Sequence, residues 1–162
     1  MLVKLVDTDY GIEVHQLLAE EQLAPRLLAY ATRNYLPTAY AMEYLADWKI
    51  LDMASDSDRT EDMVSRVREE LKRVLGCLER NGMVHGDLRP ANIMFKFLEE
   101  KQQVDIRVID FDWAGEASRV TYPCGLNPKI TWPGMSEHPT EQGHDATMVK
   151  NWWPRTFPGF EF

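Results

Sequence analysis

The sequence lacks several features that mark particular classes of protein. Its 162 residues contain no apolar run near the roughly 20 residues that a membrane-spanning helix needs. Residues 1–7 alternate in polarity and have neither the basic region nor the small-residue cleavage site of a secretion signal. The two cysteines, Cys77 and Cys124, lie far apart without metal-type spacing, so we expect buried or incidental thiols. Together these absences predict an intracellular, cytoplasmic protein.

Positive charge is also in deficit. The chain has 18 Lys and Arg residues against 26 Asp and Glu residues, a formal net charge of −8. This excess disfavours nucleic acid or an anionic membrane surface as a partner. It leaves room for a nucleotide, because a basic residue or a metal ion reverses the field inside a cleft. The length suits one domain, or two small lobes that share a cleft.

Residues 1–50 have the pattern of strands interrupted by one helix. Residues 2–6 alternate like a short strand, and residues 10–21 carry the apolar stripe of a helix that stops before Pro25. Residues 26–31 and 39–45 predict two further strands.

The rest of the chain begins with a polar segment, residues 54–60, which we expect to be a hinge between lobes. Three further elements are predicted: a long helix over residues 61–80, a hairpin of residues 93–97 and 105–109 joined by residues 98–103, and a short helix over residues 144–153. The whole order predicts an α+β chain with a small sheet lobe and a mainly helical lobe.

Four polar residues that follow the long helix have the chemistry of phosphoryl transfer from ATP. That reaction needs a carboxylate that accepts the proton of the acceptor hydroxyl, oxygen ligands that hold Mg²⁺, and a cation near the moving group. Asp87, Arg89, Asn92 and Asp110 are residues of these types. They lie on one loop and at one strand end, where a hairpin can bring them together.

The motif His85-Gly-Asp-Leu-Arg-Pro-Ala-Asn92 resembles the catalytic loop H-R-D-x-K-x-x-N of the protein-kinase-like superfamily. Asp110-Phe-Asp112 resembles the metal-binding D-F-G of that superfamily. Other similarities follow the family's chain order: the phosphate-lysine strand (residues 2–6), the glutamate helix (residues 10–25), the adenine-contacting hinge (residues 42–45) and the aspartate that braces the catalytic loop (Asp145). Gly86 and the Asp-Phe-Asp ending are most similar to divergent fungal kinase-like proteins and to kinases of the choline and aminoglycoside type.

The resemblance implies roles for the residues around the reacting phosphate. Asp87 would be the catalytic base, and Arg89 would stabilise the transferring phosphoryl group. Asn92 and Asp110 would be the Mg²⁺ ligands. The implied reaction moves the γ-phosphoryl group of Mg-ATP to a hydroxyl of a protein Ser or Thr, or of a small molecule.

The resemblance also implies how ATP would be held. Lys4 would contact the α and β phosphates and form an ion pair with Glu13, with Glu20 and Glu21 as alternative partners. The backbone of Glu43 and Leu45 would bind the adenine edge. The implied cofactors are therefore ATP and Mg²⁺.

Departures from the family pattern leave alternatives open. The chain begins three residues before Lys4, whereas the family carries a glycine-rich loop on two earlier strands. We expect one N-terminally truncated domain, with a partial N-lobe and hinge over residues 1–50 and a short C-lobe over residues 51–162. One alternative is a catalytically inactive pseudokinase or truncated binding module. Another is a metal-dependent phosphohydrolase whose ligands come from the pairs His85/Asp87 and His144/Asp145.

Overall fold

The structure is a computed structural model that describes residues 1–98 and 103–162. Its first part is an antiparallel sheet and one helix: β1 (Leu2–Val6), α1 (Ile12–Glu20), β2 (Leu27–Arg33) and β3 (Leu36–Met42). The strand order is β1-β3-β2, so β3 is central. In the β1–β3 register Lys4 lies opposite Tyr40, which fixes the lysine near the middle of the sheet.

A second sheet and the longest helix form the centre of the molecule. The sheet has the order β4-β6-β7, from β4 (Lys49–Ile50), β6 (Ile93–Leu98) and β7 (Gln103–Val108). Helix α2 (Glu61–Arg80) packs against β7. The segment that the sequence predicted between the two hairpin strands falls mostly on residues 99–102, outside the described residues.

Helix α2 shows why its sequence predicts it so well. The Thr60 hydroxyl caps the first turn by accepting a hydrogen bond from the Met63 amide at 3.2 Å. One face of the helix is buried: Met63, Val64, Val67, Leu71, Val74, Cys77 and Leu78. Full burial of each large apolar side chain contributes about 1.5–3 kcal/mol. The helix ends before Gly82, whose φ of +65° suits a glycine stop.

Two short strands and the last helix frame the segment between α2 and β6. Strand β5 (Met83–Val84) lies within this segment and pairs with β8 (Gly115–Glu116). Helix α3 (His144–Thr156) buries Asp145, Met148, Val149, Trp152 and Trp153. None of the described helices combines the length and apolar character that a membrane crossing requires.

The predicted α+β class with a small first sheet is confirmed, and α2 has the predicted bounds. Strand β3 ends at Met42, three residues before its predicted end, because its pairing with β1 stops at Leu2. Strand β4 already pairs with β6, so the chain crosses between the sheets at residues 43–48. The expected hinge residues 54–60 form the turns that lead into α2, and their role as a hinge stays a prediction. The division into lobes at residue 50 stays a prediction.

Candidate functional site

Residues 85–92 form a loop between β5 and β6, and Asp145 of α3 binds its backbone. Both oxygens of this buried carboxylate accept backbone hydrogen bonds, from His85 at 2.7 Å and from Gly86 at 3.0 Å. Burial raises the pKa of Asp145 to about 6, although these two bonds oppose the shift. Gly86 has a φ of +79°, and a Cβ there would lie 2.7 Å from the Trp113 carbonyl oxygen. Only glycine therefore fits this point of the loop.

His85 has the structural role that its position in the motif suggests. Its ring is fully buried, with Nε2 3.2 Å from the Ile109 carbonyl oxygen and Nδ1 3.3 Å from the Asp87 amide. A neutral ring satisfies both contacts, since Nε2–H donates and Nδ1 accepts. Burial lowers the pKa of His85 to about 4, so the ring stays neutral near pH 7. His85 thereby holds the Asp87 backbone in position.

The Asp87 carboxylate is buried and fixed by two neighbours. Arg89 approaches it with two nitrogens: Nε binds Oδ1, and Nη2 lies 2.7 Å from Oδ2. The Asn92 amide nitrogen donates to the Asp87 carbonyl oxygen at 2.9 Å and to Oδ2 at 2.8 Å. Burial raises the pKa of Asp87, while Arg89 and Asn92 act against the shift. The three residues that the sequence placed on one loop are thus in direct contact.

Lys4 is bound by the turn after β7. Its ammonium group forms ion pairs with Asp110 and, at 2.5 Å, with Oδ1 of Asp112. Burial opposes the charge on Lys4, but the hydrogen bonds and charges of the two aspartates raise its pKa. Asp110 has a φ of +70°, a left-handed conformation that costs a non-glycine residue about 1 kcal/mol or more. Backbone strain of this kind is concentrated at functional sites.

The predicted ion pair between Lys4 and Glu13 is wrong. Glu13 is exposed, and no ion pair joins it to Lys4. The buried face of α1 consists of Val14, His15 and Leu18, so Glu13 points to the solvent side of the helix. The sequence did not predict that His15, on this buried face, packs against the turn after β7. Its ring stacks on Phe111 with 4.5 Å between centroids.

A cavity of about 450 Å³ lies between the first sheet and the loop of residues 85–92. Lys4, Asn92 and Asp110 line it together. Its other walls are largely apolar: Leu2, Pro25, Met42, Leu45, Met94 and Ile109. A mixed cavity of this size, with a few polar groups at one end, is typical of a small-molecule or nucleotide site.

Glu43 and Leu45 also line the cavity. The Glu43 amide already donates to the Arg26 carbonyl oxygen at 2.9 Å, so its own carbonyl oxygen is the backbone group left for a ligand. Within the described part of the chain the Leu45 amide donates no hydrogen bond. These two residues therefore supply one backbone acceptor and one backbone donor at the cavity wall.

The phosphohydrolase alternative does not agree with this geometry. Its four ligands would be His85, Asp87, His144 and Asp145. The polar side-chain atoms of His85 and Asp145 already bind backbone groups, at residues 85–87 and at Ile109. Over residues 1–98 and 103–162 no group of three or more His, Cys, Asp and Glu side chains is arranged to hold a metal ion.

Sequence reasoning did not predict the contacts of Asp112 and Trp132. Asp112 stands where the family motif has glycine, a visible signal, but its contact with Lys4 depends on how β1 packs over the turn. The Trp132 ring lies 5.4 Å from the Arg89 guanidinium carbon, a cation–π contact that holds the arginine beside Asp87. No motif marks Trp132, because its loop is 40 residues beyond the catalytic loop.

The fold and the catalytic loop define a kinase-like phosphotransferase class. The chain belongs to the phosphotransferase enzyme family APH, whose model matches residues 4–120. It is 32% identical over 92 residues to ribosomal protein S6 kinase alpha-6 of Mus musculus. This alignment covers 54% of this chain and 11% of the mouse protein.

The solved structure of the Cydia pomonella granulovirus kinase PK-1 matches with a TM-score of 0.69 at 15% identity. That match covers 94% of this chain and 58% of the viral chain, and it confirms the kinase-like fold. The chain thus spans less than two thirds of each of these relatives.

Proposed function

We propose that the chain transfers the γ-phosphoryl group of Mg-ATP to a hydroxyl group of a protein or of a small molecule. The observation that carries this proposal is that Lys4, Asn92 and Asp110 line one cavity and that Asp87 contacts Asn92 in its wall. A base, two oxygen ligands and a phosphate-binding cation are the groups that this reaction needs.

The residues present fit Mg²⁺. Asn92 makes both of its side-chain hydrogen bonds through the amide nitrogen, which leaves its amide oxygen for a metal ion. The Asp110 carboxylate is 45% exposed and lines the same cavity. One or two protein oxygens together with phosphate oxygens are the ligands that Mg²⁺ usually takes. When bound there, Mg²⁺ would neutralise charge on the phosphates.

Each protein group then has one task. Asp87 orients the acceptor hydroxyl and accepts its proton, a role that its raised pKa favours. Arg89 stays next to the base and offers positive charge to the moving phosphoryl group. Lys4 donates to phosphate oxygens, and the backbone of Glu43 and Leu45 binds the adenine edge in the apolar part of the cavity.

A second candidate is a nucleotide-binding module without turnover. It is favoured by the two-point contact of Arg89 with Asp87, because this contact occupies both carboxylate oxygens that a base would use. The two candidates share the nucleotide cavity and differ in whether Asp87 becomes available to an acceptor.

A thermal-shift titration with ATP, with Mg²⁺ or with EDTA, tests the shared part. A ligand that binds only the folded state stabilises it by RT ln(1 + [L]/Kd), about 2.7 kcal/mol at 100 Kd. We expect a Mg²⁺-dependent shift that Asp110→Asn abolishes. No shift at millimolar Mg-ATP would contradict both candidates. ADP formation measured on the same samples separates them: a shift without turnover supports the binding module.

A further inference from the structure

A second cavity lies against the opposite side of the catalytic loop. Its volume is about 290 Å³, and it is bounded by residues 89–91, residues 129–131 and one face of α3. Ala91 lines both this cavity and the cavity that contains Lys4, Asn92 and Asp110, so the two cavities adjoin at this loop. The Asp87 carboxylate binds Arg89 in the wall of one and Asn92 in the wall of the other. The proposed base therefore lies between the two cavities.

The side chains of this second cavity carry positive charge. Its charged lining consists of Arg89, Lys129 and Arg155 against one carboxylate, Asp52. Arg89 is neutralised by Asp87, but Lys129 and Arg155 are exposed, and neither has a carboxylate within 4.0 Å among the described residues. The chain as a whole has a net charge of −8, so the cavity has the opposite sign to the rest of the protein.

The walls of the cavity are attached to the catalytic loop. The Trp152 indole N–H donates to the Leu88 carbonyl oxygen at 2.9 Å, which fixes α3 against the loop. The Asn151 amide nitrogen donates to the Thr131 carbonyl oxygen at 3.0 Å, which fixes residues 129–131 against α3. Lys129 and Arg155 thus stand on elements of defined position relative to Asp87.

We propose that this second cavity binds the acceptor, and that the acceptor is a small hydroxyl compound bearing a carboxylate or phosphate group held by Lys129 and Arg155. This inference rests on the proposed phosphotransferase function. A volume near 300 Å³ is at the small end of ligand sites, which suits a compact metabolite. Cationic acceptors such as aminoglycosides or choline would be repelled by two cations without carboxylate partners.

The transfer step follows from the placement. The acceptor oxygen forms a bond to the γ-phosphorus, and the bond from that phosphorus to the β,γ-bridging oxygen breaks. The hydroxyl proton passes to Asp87, and ADP leaves with the electron pair of the broken bond. The carboxylate or phosphate of the acceptor stays unchanged and serves only to bind.

The first test compares matched acceptors by Mg-ATP-dependent ADP formation. Glycerol 3-phosphate and glycerate should raise the rate above that with buffer, and glycerol, choline and kanamycin should not. Lys129→Glu and Arg155→Glu should each raise KM for the stimulating compound about tenfold or more. Lys150→Glu is the matched control, because this exposed residue of α3 does not line the cavity. Stimulation only by neutral compounds, cationic compounds or Ser/Thr peptides would overturn the proposal.

The second test works without nucleotide, so it stands even if phosphoryl transfer fails. Inorganic phosphate is titrated while amide shifts of the protein are followed by NMR. Wild type and Lys150→Glu should show saturable shifts at residues 129–131 and on α3, and Lys129→Glu and Arg155→Glu should lose them. Circular dichroism confirms folding, and Lys129→Gln replaces any variant that unfolds. Equal phosphate affinity in all variants would overturn the assignment of the cavity.

Discussion

Lys4 and Asp112 are joined by an ion pair of 2.5 Å between Nζ and Oδ1, over a separation of 108 residues in the chain. Asp112 belongs to the same turn as Asp110, which also binds the lysine. Strand β1 is thereby attached directly to the turn that carries the proposed metal ligand. Both carboxylates that bind Lys4 therefore come from the turn after β7, and helix α1 contributes no carboxylate to Lys4.

Removing Asp112 should change the titration of Lys4. Because the Asp112 charge and hydrogen bond help to raise the pKa of Lys4, Asp112→Asn should lower that pKa, and Glu13→Gln should leave it unchanged. An NMR titration of lysine labelled at the ε-carbon measures it directly. A lower Lys4 pKa in Glu13→Gln and not in Asp112→Asn would restore the ion pair that the sequence suggested.

The need for glycine at position 86 can be tested against a second glycine. Gly86 and Gly125 have nearly the same φ, +79° and +78°, but an added Cβ meets the Trp113 carbonyl oxygen only at Gly86. Gly125→Ala should cost about 1 kcal/mol of unfolding free energy for its backbone conformation alone. Gly86→Ala should cost clearly more, since a clash at the catalytic loop adds to the same strain. Urea denaturation of both variants gives the comparison, and equal losses would contradict the close packing.

Buried His85 should make the fold sensitive to acid. Its pKa is about 4 when folded and 6.5 in a reference peptide, so the unfolded state takes up the proton first as pH falls. Unfolding free energy should therefore fall between pH 6.5 and 4, by about 3 kcal/mol from this residue. His85→Gln should make that part of the pH profile shallower. A profile identical to that of wild type would show that the ring titrates normally.

Asp145 should act in the opposite direction. Its folded pKa of about 6 exceeds the reference value of 3.8, so the folded state binds the proton more tightly. Its contribution to unfolding free energy should rise as pH falls from 6 to 4. Asp145→Asn removes this compensation, and its acid loss of stability should be steeper than that of wild type. Guanidinium denaturation at several pH values measures the slope, and a shallower loss would contradict the assigned burial effect.

The fold could be predicted where the signals are local. The apolar period of α2 and its Thr60 cap lie within one stretch of sequence, and both bounds of that helix were predicted. The end of β3 could not be predicted, because it depends on the pairing of Met42 with Leu2 across the sheet. Strand ends of this kind are fixed by distant partners.

The same division holds at the site. Asp87, Arg89 and Asn92 are close in sequence, and their contacts agree with the motif. The partner of Lys4 depends on how α1 packs: at Gly11 a Cβ would lie 2.5 Å from the Ala114 carbonyl oxygen. The start of α1 therefore packs closely against the backbone after Asp112. Lys4 forms its ion pairs with Asp110 and Asp112 and none with α1. The spacing of residues in the sequence does not predict this contact between Gly11 and the Ala114 backbone.

The rate of ADP formation by wild type and by Asp87→Asn tests the central claim most directly. Asn keeps the shape of the side chain and the bond from Asn92 but cannot accept a proton. With Mg-ATP and an acceptor, we predict turnover by wild type and a loss of about 10²- to 10⁴-fold in Asp87→Asn, with ATP affinity changed little. Equal rates in the two proteins would contradict phosphoryl transfer at this site.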